Sequence, residues 1–269
     1  MSTVPGSGSP FTLDVSGTPG IPFLRLFQVE LRKSVDTRAG RWLVGVTVGV
    51  ALLAEVIYLI VAVNKDLDGS YGSFVAASAF VSSFLLPILG IMVVSSEWSQ
   101  RTAMTTFALE PRRMRIVWAK MLAGVSLTAF VLAFALVVGL AFVLLFSVFQ
   151  GNSPDWTFGW SGFAGFVMNQ TFSMLGGFAL AALLLNTPAA IVVYVAYKYV
   201  LPGLLALGAA LMAWFNSLQP WIDFQAAQSE LYDMPLTAAQ WWHLVVSGLI
   251  WLVVPLAIGL WRISRAEVK

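Results

Sequence analysis

Six long apolar stretches dominate the pattern of hydrophobic and polar positions along the chain. They cover residues 42–63, 74–94, 121–148, 161–185, 188–214 and 242–261. Each is long enough to cross about 30 Å of hydrocarbon as a helix, which takes roughly 20 residues. They have almost none of the polar face that a helix in a soluble bundle shows. The pattern predicts an all-α polytopic membrane protein with six transmembrane helices.

The chain before the first stretch divides into a tail and a helix. Residues 1–20 are rich in Gly, Ser, Thr and Pro, which predicts a disordered cytoplasmic tail. Residues 21–40 have the spacing of an amphipathic connecting helix that lies at the bilayer surface. The apolar positions are Leu24, Phe27, Leu31 and Val35. The polar positions, which fill much of the opposite side, are Arg25, Gln28, Arg32 and Lys33. The alternative is a plain extension of the first span.

Basic residues set the predicted orientation of the six-span domain, residues 41–269. Of the 15 Lys and Arg residues, only Lys65 falls in the loops that we place outside, and Lys198 lies inside a span. Because Lys and Arg concentrate in cytoplasmic loops, both termini are predicted to be cytoplasmic, in a bacterial plasma membrane. Two loops are long: the cytoplasmic loop 95–120, and the outer segment 215–241, for which we predict a re-entrant or surface-lying helical pair.

Composition narrows the possible functions. A hydrophobic fraction of 59% and a charged fraction of 10% exclude an ordinary soluble enzyme. The chain has no cysteine and one histidine, His243, so a disulfide framework, thiolate catalysis and a multi-histidine metal site within the chain are excluded. It has no GxxxxGK[ST] phosphate loop and cannot bind and split ATP by that route alone. Nothing in the sequence indicates a nucleic-acid partner.

One tetrapeptide is similar to the GxSG pattern of rhomboid intramembrane proteases. It is Gly159-Trp160-Ser161-Gly162, and Ser161 and His243 both begin spans on the outer side. A Ser–His dyad needs its side chains within hydrogen-bond distance, which this topology permits. The His and Asn that should supply oxyanion donors on the second span are missing from residues 74–94. A rhomboid-like serine protease is therefore kept as an alternative, beside a Gly/Ser helix start and an interfacial histidine.

Two ionisable residues lie near the middle of spans. Glu55 is in the first span and Lys198 is in the fifth, between Tyr197 and Tyr199. An intramembrane charge costs at least ~2.5–3.5 kcal/mol, so each should face protein or water. An ion pair between them is the economical interpretation, either as structural support or as part of a substrate path. Pro202 frees backbone groups near Lys198 and is expected to kink the helix.

The cytoplasmic loop resembles the first cytoplasmic loop of ABC-2 type transporter permeases. That family tends to show an acidic residue, Gly-Thr, Leu-rich residues, a Pro followed by Arg, and a Lys that opens the next span. The matching residues are Glu97, Thr102, Leu109, Pro111, Arg112 and Lys120. The sequence departs from the family at Arg101, where Gly is frequent. Residues 29–33 look like the family's connecting helix, and the tail 262–269 fits as well.

The resemblance implies an ABC-2 (type V exporter-like) permease subunit. Such a subunit exports an amphipathic small molecule, such as a drug, an antibiotic or a lipid. Its loop forms a coupling helix in a cleft of a separate ATP-binding subunit, present in two copies, which holds ATP and Mg; the permease itself has no cofactor. It pairs with a second permease half, identical or a paralogue. A non-transporting membrane scaffold is the remaining alternative.

The resemblance also implies two sets of site residues. The residues expected to couple to the ATPase are Glu97, Trp98, Arg101, Thr102, Glu110, Arg112 and Arg113. Spans one, two and five line the translocation path in this family, which places Glu55, Tyr197, Lys198 and Tyr199 on path-lining helices. For Arg112 and its basic neighbours, binding to anionic lipid head groups is an equally good interpretation.

Overall fold

The computed structural model describes residues 20–100 and 102–265. Most of the predicted tail, residues 1–19, lies outside the described residues, as do Arg101 and residues 266–269. In chain order the helices are α1 (Phe23–Asp36), α2 (Arg38–Lys65), α3 (Tyr71–Ser99), α4 (Ala103–Leu109), α5 (Arg113–Gln150), α6 (Gly159–Leu184), α7 (Thr187–Val195), α8 (Leu201–Leu211), α9 (Ala213–Ile222), α10 (Phe224–Ser229), α11 (Ala238–Gly248) and α12 (Val254–Arg265). Two π-helical turns, Ala196–Val200 and Leu249–Val253, join α7 to α8 and α11 to α12, and a 3₁₀ turn, Glu230–Asp233, follows α10.

Within the described residues, six helices are long and apolar enough to cross a membrane, which agrees with the predicted number. Numbered in chain order, spans 1 to 6 are Arg38–Lys65, Tyr71–Ser99, Arg113–Gln150, Gly159–Leu184, Thr187–Leu211 and Ala238–Arg265. Most begin before and end after the predicted apolar stretches, because polar residues continue the helix beyond the hydrocarbon thickness. The chain is thus a multi-pass membrane protein.

Two prolines explain the irregular turns inside spans 5 and 6. Each π-helical turn ends two residues before a proline, Pro202 or Pro255. Proline lacks the N–H that an α-helix needs, and its ring crowds the carbonyl group four residues earlier. The N–H groups of Leu201 and Val254 therefore bond five residues back, to the carbonyl oxygens of Ala196 and Leu249. The predicted disturbance at Pro202 takes the form of a widened turn.

The core is built around span 2, whose backbone lies close to that of span 4. A Cβ on Gly177 would overlap the Pro87 carbonyl group, and one on Gly90 would overlap the Met174 carbonyl group. Only glycine allows so close an approach, which is how small residues pack membrane helices. In contrast, Gly45 and Gly49 on span 1 face open space within this chain.

Contacts bring the two ends of the described chain to one end of the bundle. Arg115 Nη2 donates to the Ile21 carbonyl oxygen at 2.7 Å, and Arg113 Nη1 donates to the Ile263 carbonyl oxygen at 3.0 Å. We call this the basic end. At the opposite end, the Tyr71 N–H donates to the Asp155 carbonyl oxygen at 2.9 Å.

The segment between spans 5 and 6 is helical and returns deep into the bundle. The Phe224 ring lies 5.7 Å from the Phe172 ring, centroid to centroid. Trp251 Nε1 donates to the Ile222 carbonyl oxygen at 2.7 Å. Phe172 lies about 20 Å along span 4 from its first residue, at 1.5 Å per residue. The α9–α10 pair therefore reaches the mid-length of spans 4 and 6.

Candidate functional site

Four charged side chains meet at the basic end and join α1 to spans 2 and 3. Lys120 Nζ lies 2.7 Å from Glu30 Oε2 and 3.2 Å from Glu97 Oε1. Lys33 Nζ lies 2.7 Å from Glu30 Oε1 and 2.9 Å from Glu97 Oε1. We call these four residues the ionic cluster. Each acid contacts both lysines, so the charges alternate around a closed ring.

Glu30, Glu97 and Lys120 of the ionic cluster are largely removed from solvent, whereas the Lys33 side chain is 42% exposed. Glu30 is 5% exposed and Lys120 is 6% exposed. Burial alone would lower the pKa of Lys33, but its hydrogen bonds to Glu30 and Glu97 and their negative charges outweigh burial and raise that pKa. Two acids and two lysines leave no net charge. Such a cluster fixes helices in place, because loss of one member strands a buried charge.

The structure places Glu97, one of the residues expected to couple to an ATPase, at the end of span 2. Span 2 continues as a helix to Ser99, so Glu97 lies on the span and not on α4. Its carboxylate already bonds Lys33 and Lys120 of its own chain. The sequence analysis missed Glu30 as a partner. The available signal was its position one turn after Phe27, at the edge of the apolar face of α1, where an acid requires a buried cation.

The short helix α4 lies across the ends of spans 2 and 3, held by Phe107. The Phe107 ring lies 5.9 Å from the Trp98 ring, and the Arg113 guanidinium carbon lies 5.0 Å above it. The Thr102 N–H donates to the Glu97 carbonyl oxygen at 2.9 Å. The helix ends at Leu109, two residues before Pro111. The contacts of Phe107 with Trp98 and Arg113 thus hold α4 against the ends of spans 2 and 3. The Thr102 side chain is exposed.

Glu110 is also held within its own chain. Its Oε2 lies 2.6 Å from Arg115 Nη1, and its Oε1 accepts the Arg112 N–H at 3.2 Å. Glu110 is 6% exposed, so it cannot meet a partner as predicted without leaving Arg115. Arg112 is exposed. Among the predicted coupling residues that the structure describes, Thr102 and Arg112 offer free surface, and Arg101 lies outside the described residues.

The ammonium group of Lys198 donates to a backbone carbonyl group that a proline leaves without its helical N–H donor. Its Nζ donates to the Ser83 carbonyl oxygen at 2.9 Å and to Ser173 Oγ at 3.1 Å. Ser83 lies four residues before Pro87, which has no N–H to bond that carbonyl group. The flanking tyrosines pack on neighbouring rings: Tyr197 lies 4.9 Å from Trp251 and Tyr199 lies 5.8 Å from Phe84.

The predicted ion pair between Glu55 and Lys198 is wrong. Glu55 is completely buried, and neither carboxyl oxygen has a hydrogen-bond partner in the described chain. The Ser78 hydroxyl lies beside the carboxyl group but donates to the Val75 carbonyl oxygen at 3.0 Å. Lys198 donates its hydrogen bonds to Ser83 and Ser173 instead. Burial of a carboxyl group without a hydrogen-bond partner is unfavourable to folding.

Gln170 lies between these two residues on span 4. Its Nε2 donates to the Ala79 carbonyl oxygen at 2.7 Å and to Ser82 Oγ at 2.9 Å. Its Oε1 has no partner in the described chain. The polar groups on spans 2 and 4 therefore form a row through the core, with Glu55 near one end and Lys198 at the other.

The structure does not bring Ser161 and His243, the pair of the protease alternative, together as a Ser–His dyad. The His243 ring lies edge-on to the Trp221 ring, with centroids 4.7 Å apart. No hydrogen bond joins His243 to Ser161, both of which the structure describes. Ser161 lies in the first turn of α6 beside Gly159. The two residues therefore lie near the starts of α6 and α11 and do not form a preformed dyad.

No protein-family model and no curated protein matches this sequence. The chain is a multi-pass membrane protein with six helices able to cross a bilayer.

Proposed function

We propose that the chain is the membrane subunit of an ATP-driven exporter of the ABC-2 type, in a bacterial plasma membrane with both termini cytoplasmic. It moves an amphipathic small molecule outward, and separate ATP-binding subunits hold ATP and Mg and hydrolyse the nucleotide. The observation that carries the proposal is the joint packing of α1 and α4 on spans 2 and 3 at the basic end. α4 lies in the loop through which the resemblance implies contact with an ATPase, and α1 contains the residues that resemble the family's connecting helix.

The packing provides a physical connection through which a bound ATPase would move the spans. The ionic cluster ties α1 to spans 2 and 3, and Phe107 ties α4 to the same two spans. A force on α1 or α4 would therefore act on spans 2 and 3 directly. Exposed residues on α4, Met104 and Thr105, supply the contact surface together with Thr102, which precedes the helix.

The row of polar groups in the core supports a path along spans 1, 2, 4 and 5. Tyr199 is 47% exposed at the level of Lys198, so the lysine lies just behind the surface of span 5. A second copy or a paralogue would complete the path on that side. The open glycine pair on span 1, Gly45 and Gly49, offers a close-packing surface for such a partner.

Co-purification tests the partner. The chain would be tagged, extracted from native membranes in mild detergent, and its stoichiometric partners identified by mass spectrometry. We expect a soluble ATPase with a phosphate loop, and we expect Met104→Glu on α4 to reduce its recovery about tenfold. Trp156→Glu is the matched control, because Trp156 is similarly exposed, at 51% against 55%, but lies at the opposite end. Recovery of an intact complex with no ATPase would overturn the proposal.

Single cysteines test the orientation, because the natural chain has none. Thr105→Cys lies on α4, and Asn152→Cys lies between spans 3 and 4. We expect a membrane-impermeant maleimide to label Asn152→Cys on intact cells and Thr105→Cys only after lysis. The reverse pattern would place the basic end outside and contradict an ATPase partner there.

A further inference from the structure

A cavity of about 740 Å³ opens among α1 to α5 at the basic end. Its volume is within the range of about 300–1,000 Å³ that small-molecule sites occupy. All five helices contribute to its wall, so the cavity lies within one copy of the chain. It is separate from the polar row at Glu55 and Lys198, neither of which lines it.

The lining changes from polar to apolar with depth. Near the mouth it includes Gln100, Thr102 and Thr105, and further in it includes the ionic cluster. The inner wall is apolar and consists of Leu43, Val44, Leu89, Met92, Val93 and Leu127. Along span 2 the cavity runs from Gln100 to Leu89, which is about 16 Å at 1.5 Å per residue. That is about half of a hydrocarbon core of about 30 Å, the thickness of one leaflet.

When the acidic and basic side chains that line the cavity are paired, one positive charge remains unbalanced among the described residues. The ionic cluster is neutral, since Glu30 and Glu97 balance Lys33 and Lys120. Glu110 lines the cavity and is balanced by Arg115. Arg25 also lines the cavity, is exposed, and has no acidic partner among the residues that the structure describes. The site therefore matches a ligand with a single negative charge.

We propose that this cavity binds an amphiphile with one anionic head group and an apolar chain. The head lies beside Arg25, where a guanidinium group can make charge-assisted hydrogen bonds to a carboxylate or a phosphate. The chain follows span 2 inward to Leu89. The ligand is either a free fatty acid or an anionic phospholipid of the inner leaflet. The inference is independent of the proposed function, because it needs neither an ATPase nor transport.

Photolabelling of the full chain tests the proposal. The purified protein in neutral-lipid nanodiscs would be exposed to diazirine-bearing palmitate, phosphatidylglycerol or phosphatidylcholine, and the labelled peptides mapped by mass spectrometry. We expect an anionic probe to label the cavity wall on span 2 around Met92, and the neutral probe to label it at least fivefold less. Preference for palmitate or for phosphatidylglycerol identifies the source of the ligand.

Cavity-filling variants separate this site from ordinary lipid contact. Met92 and Ser96 lie one turn apart on the cavity wall, so Ser96→Trp and Met92→Trp should each reduce the labelling at least tenfold. Ser126→Trp is the control: Ser126 is also a half-buried serine of a span, but it does not line the cavity. Arg25→Gln should weaken labelling by the anionic probes several-fold and leave the neutral probe unchanged.

The proposal fails if the anionic probes label the cavity wall no more than the phosphatidylcholine probe does. It also fails if labelling survives in whichever of the two Trp variants retains the unfolding temperature of the natural chain. Having two fillers keeps the test decisive when one of them unfolds. Equal labelling of Arg25→Gln and the natural chain would remove the assigned head-group contact.

Discussion

Glu55 is buried and Lys198 is half-buried in the spans, and their polar atoms differ in whether they have hydrogen-bond partners. Lys198 donates to Ser83 and Ser173, whereas Glu55 has no partner in the described chain. Pro87 was a readable signal, because a proline within an apolar stretch leaves one carbonyl group free for a donor. The sequence could not show which donor reaches it, since that depends on how spans 2 and 5 pack. The ion pair predicted instead assumed that opposite charges meet.

The first prediction concerns these two residues. Because they share no partner, neutralising both should change the free energy of unfolding by the sum of the two single effects. We expect Glu55→Gln with Lys198→Met to match that sum within about 0.5 kcal/mol. A double-variant cycle by denaturation in mixed detergent micelles checks it. A coupling energy well above that value would restore the ion pair.

The second prediction concerns the ionic cluster. Lys120→Met leaves Glu30 and Glu97 with only Lys33 between them, in a buried setting. Removing one partner of a buried ionic group costs about 3–5 kcal/mol, so we expect that loss in the free energy of unfolding. Lys65→Met is the control, because Lys65 is an exposed lysine at the end of span 1. Similar losses in both variants would contradict the role of the cluster.

At the scale of elements, the spans were predictable and their irregularities were only partly so. Apolar runs of roughly 20 residues give spans because the bilayer requires that length. The observed helix ends differ from the predicted ends where polar residues such as Glu97 continue the helix. The turn between spans 4 and 5 could be read locally: Asn186 Oδ1 accepts the Ala189 N–H at 3.0 Å and Pro188 follows in the first turn. The depth of α9 and α10 could not, because it depends on contacts with spans 4 and 6.

The third prediction tests how α10 and its 3₁₀ turn sit on span 4. A Cβ on Gly165 would lie 2.5 Å from the Leu231 carbonyl oxygen, a backbone atom that cannot move alone. Gly165→Ala should therefore destabilise the protein by about 1–3 kcal/mol. It should also increase labelling of Tyr232→Cys by a water-soluble maleimide.

Gly176→Ala is the matched control for that experiment. Its Cβ would lie 3.4 Å from the Tyr194 ring, an ordinary contact on the same helix. We expect a neutral effect or a gain of up to about 1 kcal/mol, since alanine favours a helix more than glycine does. Equal destabilisation by both substitutions would show that Gly165 has no special contact with Leu231.

At the scale of the whole molecule, the sequence predicted six spans and left the grouping of the spans open. The basic residues indicated one side, and the structure brings Ile21 and Ile263 together there. The ionic cluster depends on residues far apart in sequence, Glu30, Glu97 and Lys120, and no local pattern relates them. The packing of α1 against spans 2 and 3 brings them within hydrogen-bond distance.

The fourth prediction concerns assembly. If span 1 packs against a second permease half, Gly45→Leu or Gly49→Leu should reduce chemically cross-linked dimers several-fold in native membranes. Ala141→Leu on span 3 is the control, because Ala141 is exposed but has no glycine pair around it. Unchanged cross-linking in both glycine variants would place any partner on another face.

The two π-helical turns determine which faces of spans 5 and 6 meet the rest of the bundle. A π turn contains an extra residue, so the helix beyond it is rotated by about 100° relative to an uninterrupted α-helix. Spans 5 and 6 each contain one, and the turns touch through Tyr197 and Trp251. The two rotations therefore fall at the same level of the molecule. The halves of both spans that adjoin α9 and α10 turn different side chains toward the bundle than an unbroken α-helix would.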